Sequence, residues 1–275
     1  MQVAAGALDG LLADRGEAWY AGLWLDHSPR ALTVRVFSTA RNTEMAVARS
    51  KGLQIPDDVA IEQRGQHLVE TADLYAGLTL TNSSGAFQCT SGFSVRSGST
   101  LGVTTAAHCI NSLYYLGGSI PFVSPAAYGG SHDEQWHTSG GNTIRNLAYD
   151  GEGSSPYRTI TAKYSRGNQA LNSLYCKYGR STQYDCGYLI SKTIVGAMPN
   201  AIATSMRLHR DGVDLSSPGD SGGPVYTANG ALGIIHACIS TDPECDNSTL
   251  KDDMVYVASN YVESGLGVLI LTSAP

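Results

Sequence analysis

Hydrophobic and polar positions along this chain form short runs, and their texture changes near residue 75. Before that point Leu8, Leu11 and Leu12 recur at helical spacing and Gly16 supplies a stop, which predicts a short helix. Residues 20–25 and 31–37 read as two strands around the turn-rich Asp26-His27-Ser28-Pro29. Residues 59–74 favour helix over strand. Together these make a small α+β unit. After residue 75 come short β-type runs punctuated by Gly, Ser, Asn and Asp, at 76–81, 91–95, 101–105, 159–164, 188–194, 205–209 and 231–236. Many short strands with turn residues between them indicate an all-β sandwich or barrel. Near the end Met254, Val257, Ala258 and Tyr261 stand at i, i+3, i+4 and i+7, predicting a short C-terminal helix capped by Gly265.

Composition sharpens this division. Of the 275 residues, 18 are basic and 24 acidic, for a net charge of −6. A mildly acidic, charge-poor chain lacks the basic stripe a nucleic-acid binder needs. No apolar run reaches the roughly 18–20 residues that span a bilayer, so a membrane protein is not expected. Residues 1–79 hold 7 basic and 10 acidic groups and no cysteine, whereas all six cysteines lie in residues 80–275. Two segments of such different chemistry predict two structural units. An even cysteine number confined to one of them points to disulfides and an oxidising compartment. No signal peptide is visible after Met1.

Two motifs carry chemistry: Thr105-Ala106-Ala107-His108-Cys109 and Gly219-Asp220-Ser221-Gly222-Gly223-Pro224. A serine hydroxyl is a poor nucleophile and needs an imidazole to take its proton and a carboxylate to hold that imidazole. It also needs preformed donors for the oxyanion, which the N–H groups of Gly219 and Ser221 can supply. Gly222 and Gly223 permit close backbone approach behind the nucleophile. His132-Asp133-Glu134-Gln135-Trp136-His137 invites a metal reading that its spacing opposes. Two His five apart diverge on a helix of about 3.6 residues per turn and face opposite sides of a strand. No metal and no cofactor are expected.

With these motifs the sequence resembles the chymotrypsin-like serine proteases, and more closely the bacterial alpha-lytic protease and streptogrisin branch, from about residue 76 to the C-terminus. Cys89-Thr90-Ser91-Gly92-Phe93-Ser94-Val95 and Cys176-Lys177-Tyr178-Gly179-Arg180-Ser181-Thr182, followed by Cys186-Gly187, also carry the resemblance. It implies two antiparallel six-stranded β-barrels, at about 76–150 and 155–275, with the active site between them. His108 and an aspartate would come from the first barrel and Ser221 from the second. Asp133, 25 residues after His108 and 88 before Ser221, suits the compact first barrel of this branch. Asp150 is the rival, although Asp150-Gly151 also reads as a turn.

The resemblance further implies the bridges Cys89–Cys109 and Cys176–Cys186, leaving Cys238 with Cys245 in a rearranged third. His236-Ala237-Cys238 falls on the strand that pairs with substrate, and Leu215 and Ser216 near the specificity pocket. His236 replaces a serine and could bond the triad carboxylate. Leu215 argues against preference for Lys or Arg. Lys177 is expected to pair with the buried Asp220. Residues 1–75 are similar to the C-terminal part of the pro-regions of this branch, implying a folding assistant and inhibitor released by cleavage near 70–78. The implied protein is a secreted, monomeric serine endopeptidase acting on proteins or peptides and made as a zymogen. Its alternative is an inactive, protease-like binding or scaffolding protein.

Overall fold

A computed structural model describes residues 20–28, 31–38, 60–64, 72–129, 132–151, 157–193, 204–239 and 251–275. The chain divides into two units, Met1–Glu70 and Thr71–Pro275. In the first, β1 (Tyr20–Ser28) pairs antiparallel with β2 (Ala31–Ser38), and β3 (Ala60–Arg64) lies parallel to β2. The helix expected over 59–74 is therefore corrected to a strand at 60–64. Five residues are too few to display a helical face, and pairing with β2 satisfies their backbone groups. The helix expected around Leu8–Leu12 lies outside the described residues.

The second unit begins earlier than position 76, because β4 (Asp73–Ala76) belongs to it, with Leu74 and Ala76 fully buried. Short strands follow: β5 (Thr79–Thr81), β6 (Phe87–Thr90), β7 (Ser94–Ser97), β8 (Thr100–Thr105), β9 (Leu113–Tyr115), β10 (Gly118–Ile120), β11 (Phe122–Gly129), β12 (His132–Thr138), β13 (Thr143–Tyr149) and β14 (Tyr157–Thr159). They form three sheets, β10-β9-β5-β6, β11-β12-β8-β7 and β14-β13-β4. Leu74, Leu80, Val103, Leu113, Ile120 and Ile144 fill the space these strands enclose.

The later strands are β15 (Ala162–Lys163), β16 (Leu174–Gly179), β17 (Gln183–Ser191), β18 (Met206–His209), β19 (Pro224–Thr227), β20 (Gly230–Cys238) and β21 (Asp253–Ala258). Pairings run β20-β19-β16-β17-β18-β21, and β21 pairs back with β20, so six antiparallel strands close into a barrel. Closure removes the unpaired edges that an open sheet would leave. Leu189, Met206, Leu208, Val225, Leu232 and Met254 fill its interior. A further cluster, built on Phe93, Trp136, Tyr178, Tyr226, Ile234 and Val257, joins the two halves. Chain connection α1 (Ser259–Leu266) leads to β22 (Leu269–Ile270), which returns to pair with β7 of the first half.

The stripe Met254-Val257-Ala258-Tyr261 is thus split between β21 and α1. Every residue from Met254 to Ala258 is buried, so β21 shows no alternation and a helical period can be laid over it. Gly267, not Gly265, caps the helix, with φ 63° and its N–H on the Glu263 carbonyl. Gly265 instead permits close approach, since a Cβ there would lie 2.0 Å from Glu134 Oε1.

Candidate active site

The turn carrying His108 leaves the end of β8 and is fixed on three sides. Cys109 is bridged to Cys89 on β6, and Thr105 Oγ1 donates to the Thr90 carbonyl at 2.9 Å. Gln135, fully buried on β12, donates through Nε2 to the carbonyls of Ala106 (2.9 Å) and Cys109 (3.1 Å). Register places Gln135 opposite Thr105, so Asp133, two residues away on the same face, reaches the His108 turn. Asp133 Oδ1 accepts the His108 backbone N–H at 3.0 Å, and Oδ2 accepts from His108 Nδ1 at 2.8 Å.

A second imidazole meets that oxygen, for His236 Nδ1 also bonds Asp133 Oδ2. Burial by itself would raise the Asp133 pKa. The hydrogen bonds and fields of His108 and His236 outweigh it and hold this carboxyl well below the usual range. On its far side His108 places Nε2 2.8 Å from Ser221 Oγ. The tautomer that satisfies both contacts carries its proton on Nδ1, leaving Nε2 to accept from the hydroxyl.

Ser221 sits in a loop whose carbonyls all turn inward. Pro218 O accepts from Ser181 Oγ at 2.6 Å, Gly219 O from Thr90 Oγ1 at 2.8 Å, Asp220 O from Gly223 N at 2.9 Å, and Ser221 O from Thr90 N at 3.0 Å. In a trans peptide the N–H points opposite the preceding carbonyl. The N–H groups of Gly219 and Ser221 are therefore turned out of the loop, and neither donates to another group among the described residues. Gly219 has φ +98°, and a Cβ there would lie 2.2 Å from the Phe87 ring, so only glycine fits.

No family model matches the chain. Among solved structures, Thermobifida fusca protease A is 24% identical, with a TM-score of 0.59 over 74% of this chain and 100% of its own. Nocardiopsis protease is 22% identical, with 0.57 over 72% and 99%. The chymotrypsin of Cellulomonas bogoriensis is 19% identical, with 0.58 over 73% and 100%. The fold is that of the bacterial chymotrypsin-like serine proteases.

Within this chymotrypsin-like fold the expected Lys177–Asp220 pair is relayed rather than direct. Lys177, fully buried on β16, donates Nζ to Thr182 Oγ1 and to the Gln183 carbonyl (2.7 Å). Thr182 Oγ1 then donates to Asp220 Oδ2 at 2.6 Å. Asp220 also accepts the N–H groups of Ser181 (2.7 Å), Thr182 (3.1 Å) and Ser217 (2.9 Å). With four donors the carboxylate is satisfied without contact from the ammonium. Burial pushes Lys177 down to about 8, against the pull of Asp220, Asp185 and Asp214.

The bridges Cys89–Cys109 and Cys176–Cys186 are both present, and Cys238 is disulfide-bonded; Cys245 lies outside the described residues. Leu215 is fully buried in the core of the second barrel, with Ser216 buried beside it. Ala237 and Cys238 are half-buried at the end of β20. Asp150 lies away from His108, buried against Arg158 Nε at 2.7 Å. His137 donates through Nδ1 to the Ile120 carbonyl (2.9 Å), on the opposite side of β12 from the His132–Glu134 contact.

Sequence reasoning passed over Gln135, Thr90, Thr182 and Glu134. Strand alternation would have placed Gln135 on the face of Asp133. Glu134 is fully buried, with Oε1 on His132 Nδ1 and Oε2 accepting the Asp133 N–H at 2.6 Å. Burial pushes its pKa up to about 9, with the Asp133 charge adding and the Asp133 N–H opposing. Because the unfolded value is near 4.5, the folded state holds an extra proton between those limits, and stability falls as pH rises from 4.5 to 9. Urea unfolding at pH 5 and pH 9 should show a smaller loss of stability for Glu134→Gln than for wild type. Equal losses would refute this assignment.

Proposed function

We propose that this chain is a serine endopeptidase working through an acyl-enzyme. The observation that carries the reading is the unbroken chain Asp133 Oδ2–His108 Nδ1 and His108 Nε2–Ser221 Oγ, 2.8 Å at each link, beside two outward amides. In this reading His108 takes the Ser221 proton as Oγ attacks a peptide carbonyl, and Oγ–C bond formation moves the π electrons onto the carbonyl oxygen. The N–H groups of Gly219 and Ser221 hold that oxyanion. As the tetrahedral intermediate collapses, His108 gives the proton to the leaving amine, and water repeats the sequence to release the acid. Asp133 holds the imidazole in its working tautomer and offsets its transient charge. The substrate is a protein or peptide.

We further propose a secreted, disulfide-containing enzyme in which residues 1–70 act as a releasable pro-like segment. Support comes from the unit boundary between Glu70 and Thr71 and from the bridges. Among the described residues no helix is long and apolar enough to cross a membrane. Incubation of the processed chain with a fluorophosphonate should label Ser221 stoichiometrically, and His108→Ala should abolish labelling. Absence of label on the processed wild type would favour the inactive, binding alternative.

A further inference from the structure

We propose that His236 is a positioning residue of the proposed protease site, a second imidazole on the triad carboxylate that extends activity to lower pH. The inference rests on the endopeptidase reading. Its basis is convergence: His108 Nδ1 and His236 Nδ1 meet the same oxygen, Asp133 Oδ2, with ring centroids 6.2 Å apart and planes at 68°. His236 sits where the β20–β21 register shifts, between the pairs Ile235↔Tyr256 and Ala237↔Val255. An irregularity of this kind re-aims a side chain out of the ladder's alternation. It turns an imidazole on the second half toward a carboxylate on the first.

The chemistry follows from one negative charge facing two donors. Asp133 is fully buried and His236 is 7% exposed, whereas the His108 side chain is 37% exposed. Charging an imidazole costs more in a dry place than in a wet one. The proton taken from Ser221 or from solvent therefore resides on His108, and His236 serves as a neutral Nδ1–H donor. That donation draws electron density from Oδ2 and weakens its hold on the His108 imidazolium. His108 then stays neutral, and able to act as base, at lower pH than with Asp133 to itself. The titratable groups that the structure sets against His236 include Asp133 on β12 and His108 after β8. Tyr256, across the register shift on β21, donates its hydroxyl to Gln169 Oε1 at 2.6 Å.

The test compares kcat/KM against pH for wild type, His236→Phe and His236→Asn, each expressed as the full chain and allowed to process. Phe keeps the bulk and removes the donor; Asn keeps a donor near Nδ1. The acid limb should move up by about half a pH unit in His236→Phe, a loss of roughly threefold at a pH on that limb, and should stay in place in His236→Asn. Superimposable limbs for wild type and His236→Phe would overturn the inference. If His236→Phe does not fold, imidazole nitrogen resonances of the wild-type chain decide it. Both Nδ1 atoms are expected to be protonated at neutral pH, and an unprotonated His236 Nδ1 would overturn the proposal. A wild-type chain that processes but takes no fluorophosphonate label defeats the endopeptidase reading itself; labelling with an unmoved acid limb defeats the His236 inference alone.

Discussion

Asp133→Asn should lower kcat by about four orders of magnitude with the fold intact. Asparagine fills the same volume but presents an NH2 group to one of the two sites where the carboxylate accepts. If the amide nitrogen faces His108 Nδ1, that nitrogen must accept, and the imidazole proton moves to Nε2. Nε2 then donates to Ser221 Oγ and can no longer take its proton. Were the amide to flip, its nitrogen would face the His108 backbone N–H, another donor. Either orientation leaves a buried donor opposed by a donor, and one face of the amide must also meet His236. The measurement is kcat on a peptide amide, with circular dichroism to confirm the fold and KM expected within a few-fold of wild type. A loss below tenfold would mean that another group orients His108.

Asp220→Ala should cost about 3–5 kcal/mol of stability, as removal of one member of a buried charge network does. It orphans the amides of Ser181, Thr182 and Ser217 and the hydroxyl of Thr182, through which Lys177 is engaged. Lys177 loses the first of the three carboxylates that pull its pKa back toward normal, so its ammonium is left in a dry site with less compensation. Activity should vanish with stability, because the peptide planes that turn the Gly219 and Ser221 amides outward belong to the loop Asp220 anchors. Urea titration at pH 7 gives the stability, and fluorophosphonate labelling at 10 °C, where the fold is favoured, separates loop disorder from global unfolding. Wild-type labelling with wild-type stability would show that Thr182 and Ser217 hold the loop unaided.

Much of this site was readable from residue types alone. His108 and Ser221 stand out because their neighbours, small residues on one side and glycines on the other, suit few other roles. Asp133 required spacing together with a family resemblance, since one acidic residue in His132–His137 looks like another; burial at the register of Thr105 is what distinguishes it. The relay from Lys177 through Thr182 to Asp220 depends on side-chain reach across a hairpin, which no linear pattern encodes. Glu134 was invisible for a related reason: an acid in a polar run reads as solvated until a glycine on α1 brings a helix over it. The C-terminal helix is present, but its start lies at Ser259 rather than near Met254, and this misplacement shows a limit of periodicity. A strand buried on both faces has no polar positions to set its phase, so a helical stripe fits it equally well.

The unequal closure of the two halves has one more implication. The proposed nucleophile Ser221 and the proposed oxyanion amides hang on a barrel closed by six strands, while His108 and Asp133 hang among three sheets that, among the described residues, share no strand pairing with one another. In the proposed mechanism, competence requires the two halves to stay aligned, and the Cys89–Cys109 staple and the Gln135 brace both hold the His108 turn, in the half built from separate sheets. The molecule can fall silent without coming apart.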